Sequence, residues 1–148
     1  MKQALLYPIL DRVFDRIKSG SQCWLFARQE PKREFSRVLC AIRDPRPLVV
    51  LEATTGEPLH LEVSHLRRKC FKESGMQATE WAAYFFGVTH GVAIPLTAVA
   101  AIPPSSRFDP VKYFRLNQFP QKFCYVPAPA WALGRPILEV PKKPDMLF

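Results

Sequence analysis

Residues 81–102 read WAAYFFGVTHGVAIPLTAVAAI, 22 consecutive positions without a formal charge. The rest of the chain makes this run stand out, because 23% of all residues are charged. Between Gly75 and Ser106 the single formal charge is Glu80. How this stretch is buried decides the fold. A membrane-spanning helix needs about 20 apolar residues, and the length fits. The content does not. His90 would need a partner at bilayer depth. Gly91 and Pro95 interrupt a helix that has no neighbouring span to repair it. The basic flank Arg67, Arg68, Lys69 and Lys72 resembles a positive-inside signal, but it does not outweigh these residues, and a membrane partner is not expected. Burial in a soluble domain fits better. Thr79 is placed to cap a helix through Phe86, Gly87 to end it, and Val92–Ile102 to continue as extended core chain before Pro103 and Pro104.

Within this stretch Ala83, Gly87, Val88 and Thr89 give A-x-x-x-G-V-T, which resembles the turn of bacterial helix-turn-helix repressors. The resemblance covers about 16 residues and implies a recognition helix after Thr89. Gly91 and Pro95 oppose that helix, since an interior proline costs about 3 kcal/mol. Between Val88 and Ile102 there is also no Arg, Lys, Asn or Gln to reach a base edge.

Working outward, residues 5–18 suggest an N-terminal amphipathic helix. Leu5, Leu6, Ile9, Leu10, Val13, Phe14 and Ile17 fall on one face, and Asp11, Arg12, Asp15, Arg16 and Lys18 on the other. Pro8 suits its first turn and Gly20 its end. Four candidate strands follow: Gln22–Arg28, Phe35–Arg43, Leu48–Thr54 and Leu59–Ser64. Short connections predict consecutive antiparallel pairing, with Cys23 opposite Cys40 if the first hairpin is symmetric. Ser64 is placed to cap a short basic helix ending at Gly75. Ten of the 15 prolines lie from Pro95 to Pro144, which predicts an extended wrap with one helical turn at Asp109–Phe114. The expected fold class is α+β: a four- to five-stranded antiparallel sheet, alternatively a small closed barrel, with one or two further helices. A single domain is expected, residues 1–106 forming the core and 107–148 packing on it as a Pro- and aromatic-rich segment.

Four cysteines without C-x-x-C spacing point to free thiols in a reducing compartment. The N-terminus carries Asp11 and Asp15 in its apolar stretch and has no small-residue cleavage site, so it does not read as a signal peptide and a cytoplasmic location is expected. Nucleotide-binding and hydrolase signatures are absent, and so is HExxH. His60, His65 and Cys70 have the wrong spacing for zinc. No enzyme, cofactor or metal is expected. The net charge of +8 favours a polyanionic partner. Two sets of basic residues are candidates for nucleic-acid contact: Arg67, Arg68, Lys69 and Lys72, and Lys32, Arg33 and Arg37. Cations in such patterns track a phosphate backbone. A third set, Arg107, Lys112, Tyr113, Arg115, Lys122, Tyr125 and Trp131, mixes rings with cations and suits a protein partner or nucleoprotein complex. The expected function is a small, non-enzymatic, nucleic-acid-binding or regulatory protein; the alternative is an interaction module docking on a nucleoprotein through its tail.

Overall fold

The computed structural model describes residues 3–127. They form one curled, half-barrel sheet of seven strands with four helices around it. In chain order the elements are β1 (Gln3–Pro8), α1 (Asp11–Ser19), β2 (Trp24–Ala27), β3 (Arg37–Ile42), β4 (Leu48–Thr55) and β5 (Leu59–Glu62). Then come α2 (Val63–Cys70), α3 (Ala78–Tyr84), β6 (His90–Ala101), α4 (Pro110–Tyr113) and β7 (Cys124–Pro127). The α+β class expected from sequence is correct, but the sheet is larger than expected, open rather than a closed barrel, and mixed. Its order is β2-β6-β4-β3-β1-β7, with β5 also on β6 and a parallel pair between β1 and β3.

The second half of the uncharged run is β6, and it joins the two parts of the sheet. Its first half pairs with β2 (Phe26 opposite Ala93) and with β5 (Leu61 opposite Gly91). Its second half pairs with β4, Ala53 lying opposite Val99. Pro95 sits at the changeover. It has no N–H to donate, but its carbonyl accepts from Gly56 N at 3.0 Å. So Thr55-Gly56-Glu57 does not fold β5 back on β4 as expected. It shifts the chain sideways, and both strands run along β6 end to end. The helix-turn-helix resemblance also ends here, because the segment after α3 is a strand. Burial in the run is uneven: Trp81, Phe85 and Gly91–Ile94 are buried, while Phe86 and Thr97–Val99 are exposed. The expectation that the whole run is core holds only in part, for Trp81, Phe85, Gly91–Ile94 and Ile102.

Two further expectations are corrected. The N-terminal helix covers Asp11–Ser19 alone, and residues 3–8 are a strand between β3 and β7. Ala4, Leu5 and Leu6 are fully buried. A strand buried on both faces reads as an unbroken apolar run, which a helical period also matches over so short a length. The expected hairpin between Gln22–Arg28 and Phe35–Arg43 does not form either. β2 goes to β6, and β3 inserts between β1 and β4. Cys23 is therefore exposed, Cys40 is buried, and all four cysteines are free thiols. The basic helix begins at Val63 rather than after a Ser64 cap, and α3 begins after Gln77 rather than Thr79. Asp109 caps α4 as expected, its Oδ1 accepting from Val111 N at 2.9 Å.

Three apolar clusters hold the layers together. α1 packs Val13, Phe14 and Ile17 with Leu5, Val50 and Ile94. The segment 108–119 covers the other face, with Phe108, Phe114, Leu116 and Phe119 against Leu39, Val49 and Ile102. These rings pin the chain after Ser106 onto the sheet. The third cluster packs α2 and α3 through Leu66, Cys70, Trp81 and Phe85 on Phe26 and Ala93. Glu80, the one acid of the uncharged region, ties α3 to α1. Arg16 donates to both of its oxygens at 2.9 Å, and Arg12 lies at 3.5 Å. The hydrogen bonds from Arg16 hold the Glu80 carboxyl below the usual carboxylate range.

At Gly91, β6 packs closely against the Phe85 ring at the end of α3. A Cβ there would stand 2.4 Å from Phe85 Cε1 and 3.2 Å from Leu66 Cδ2. Gly91→Ala is expected to destabilise the fold by about 1–3 kcal/mol, the usual effect of overpacking. Urea unfolding would show it as a lower midpoint at unchanged slope. An unchanged midpoint would contradict this packing.

Candidate nucleic-acid interface

At the mouth of the half-barrel three elements meet on one backbone atom. Phe26 lies in β2, the strand at one end of the sheet path. Its carbonyl accepts from the Tyr84 hydroxyl of α3 at 2.8 Å. It also accepts from the Tyr7 hydroxyl of β1. β1 lies near the opposite end of the same path. The Tyr7 phenol therefore links β1 to β2 across the open side of the curled sheet, and Tyr84 joins it from α3. Burial pushes the Tyr7 hydroxyl well above its ordinary pKa, and the neighbouring Tyr84 adds to the rise. Burial raises Tyr84 too, while its bond with Tyr7 and the charge of Arg28 oppose that. Both hydroxyls stay protonated and remain donors. Cys40, opposite Tyr7 in the β1–β3 pair, is pushed up to about 12 by burial and stays a thiol.

Beside this junction opens a cleft of about 550 Å3. Its apolar lining is Tyr7, Pro8, Ala27, Tyr84, Val88 and Phe123. Its polar lining comes from Arg28 and Gln29, which follow β2, and from Gln121 and Lys122, which precede β7. Lys122 Nζ donates to Gln29 Oε1 at 3.1 Å, joining the two polar pairs. Arg28 Nη2 donates to the Phe86 carbonyl at 2.9 Å, which ties the α3–β6 turn to the same rim. The volume falls in the range of small-ligand sites, and so does the pattern of a mostly apolar wall with a few convergent polar groups. An aromatic wall can take a planar ring by stacking. The two amides can match hydrogen-bonding edges, and the two cations can hold an anion.

The residues singled out from sequence fall in different places. Arg67, Arg68 and Lys69 are exposed on α2, and Lys72 is exposed on the helical turn after it, with the Arg67 guanidinium 4.7 Å from the centre of the Phe71 ring. Lys32 and Arg33 border a second depression between β2 and β3, together with Glu30, Glu34 and Glu57. Arg33 has internal partners: its backbone N donates to the Tyr125 hydroxyl at 2.9 Å, and its guanidinium lies 5.1 Å from that ring's centre. Arg37 is ion-paired with the buried Glu52. Arg107 Nε donates to the Ile102 carbonyl at 3.0 Å and packs over Phe14. Lys112 and Tyr113 are exposed on α4, and Arg115 is exposed just after it. Tyr125 lies in β7, and Trp131 falls outside the described residues. Of the two cation sets and the tail set, Lys122 alone lines the cleft. Tyr7, Tyr84, Gln29 and Gln121 were missed. No local signal marked them, and no spacing connects residue 28 with residue 122. Among the described residues no group of three or more His, Cys, Asp or Glu is placed to hold a metal ion, and no helix is long and apolar enough to cross a membrane.

No protein-family model matches the sequence, and neither does any curated protein. Solved structures do match the fold. The ASCH protein of Zymomonas mobilis superposes with a TM-score of 0.68 at 20% identity, over 84% of this chain and 87% of that one. Two single-substitution variants of the same protein, serine-to-alanine and tyrosine-to-phenylalanine, superpose at 0.73, covering 88% and 90% of those chains. The chain thus has an ASCH-like fold.

The Phe26 junction can be tested by removing its donors. Tyr7→Phe and Tyr84→Phe should each cost about 0.5–1.5 kcal/mol, since one donor remains. The double variant should lose more than the sum, because the buried carbonyl then has no donor from either ring. A urea-unfolding double-mutant cycle measures this, and strict additivity would contradict a shared acceptor.

Proposed function

We propose that this protein binds single-stranded nucleic acid, placing an unpaired base in the cleft at the half-barrel mouth and phosphates on the cations at its rim. The observation that carries the reading is the cleft's composition. Arg28 and Lys122 flank Gln29 and Gln121 over a wall of Tyr7, Tyr84 and Phe123. A strand of nucleic acid presents the matching groups: anions along its backbone, hydrogen-bonding edges, and flat rings free to stack once unpaired. The chain's net charge of +8 supports the same partner class. Arg67, Arg68, Lys69 and Lys72 supply further exposed cations on and just after α2, suited to phosphates outside the cleft. Arg33 and Arg37 are held by Tyr125 and Glu52, so they contribute less than their sequence positions suggest.

Fluorescence anisotropy with a labelled single-stranded oligonucleotide tests the reading. Affinity should fall steeply with salt, the logarithmic slope being about −0.7 per phosphate neutralised. Lys122→Ala and Arg28→Ala should each weaken binding and reduce the slope by about one contact. Replacing Arg67, Arg68, Lys69 and Lys72 together by Ala should reduce it by several, with no loss of thermal stability. A flat salt dependence, or no binding at low salt, would sink the proposal.

A further inference from the structure

Phe86 occupies a position that the fold alone does not explain. Its neighbour Phe85 turns inward, 4% exposed, and meets the Tyr84 ring edge-on at 4.8 Å. Phe86 turns outward and is 80% exposed, the most exposed of the large apolar side chains among the described residues. Tyr84, just before this pair, and Val88, two residues after it, both line the cleft. The turn is also held in place. Gly87 adopts the left-handed conformation at φ 83°, Val88 N donates to the Phe85 carbonyl at 3.2 Å, and Arg28 clamps the Phe86 carbonyl. A large ring is thus kept in water, on a fixed backbone, at the edge of a cationic cleft.

A single ring is a poor protein-docking surface. The other large exposed apolar residues, Leu10, Val99 and Tyr113, belong to different elements, and the residues beside Phe86 on α3, Ala82 and Ala83, are small. A single ring does suit one flat partner. We infer that Phe86 is a stacking platform for a second base, next in the strand to the one in the cleft. Arg28, donating to the Phe86 carbonyl while lining the cleft, lies between the two base positions and is placed for the phosphate that links them. This inference rests on the proposed single-strand binding and deepens it. The protein would grip two successive unpaired nucleotides, so a dinucleotide or longer strand is preferred to a mononucleotide or a duplex.

The experiment compares wild type, Phe86→Ala, Phe86→Trp and Lys122→Ala on a mononucleotide, a dinucleotide and a labelled single-stranded oligonucleotide. Wild type should gain affinity from the second nucleotide. Phe86→Ala should lose that gain, about tenfold on the oligonucleotide, with the salt slope unchanged because no charge is removed. Phe86→Trp should retain binding and show quenching of the added indole when a base stacks on it. Lys122→Ala should weaken all three ligands. If Phe86→Ala binds the oligonucleotide like wild type while Lys122→Ala does not, the stacking role is wrong and the cleft reading stands. If Phe86→Ala weakens mononucleotide and oligonucleotide equally, the second base position is overturned. If wild type binds no nucleic acid, both readings fail together.

Discussion

The carbonyl of Phe26 is the point on which the shape of this molecule depends. A sheet curled into a half-barrel has an open side, and something must hold its walls at a fixed separation. Here Tyr7 from β1 and Tyr84 from α3 both donate to that one oxygen in β2. A buried carbonyl without a donor is costly, so the junction resists opening. The same rings form a wall of the cleft, and support and site therefore share residues. The cleft is a consequence of how the curl is held, with polar side chains added where β2 ends and where β7 begins.

β6 provides the other half of the framework. It carries β2 and β5 on its first half and β4 on its second, so a single strand joins the β2–β5 part of the sheet to the rest. Pro95 and Gly56 allow the handover between β4 and β5, and Gly91 allows α3 to approach. α3 then delivers Tyr84 to the junction and Phe86 to the rim. The chain after Ser106 closes the second core face with its rings and returns along β1 as β7, bringing Gln121, Lys122 and Phe123 to the opening.

Much of this was legible in the sequence where the signal is local. Gly20, Gly75 and Gly87 mark turns, and all three adopt positive φ. The alternation of Leu59, His60, Leu61 and Glu62 appears as alternate burial in β5. Asp109-Pro110 starts a helix. What could not be read depends on distant pairing. ALLYP fits a helix face or a doubly buried strand equally well, and only the parallel partner β3 decides between them. Nothing local shows that β2 would bypass β3 for β6, and so nothing showed that Arg28 and Lys122 would share a cleft. Cationic runs are easy to see in a sequence, but runs such as 32–37 prove partly internal, with Arg37 on Glu52 and Arg33 on Tyr125.

In the proposed function, recognition lies at the mouth of the half-barrel rather than on a generally basic surface. The most direct test is an NMR titration of the isotopically labelled protein with a short single-stranded oligonucleotide. The account predicts that the largest backbone amide shifts cluster at Arg28, Gln29, Gly87, Val88, Gln121 and Lys122. Shifts confined to α2 and the 30–36 loop, with those six amides unmoved, would contradict it.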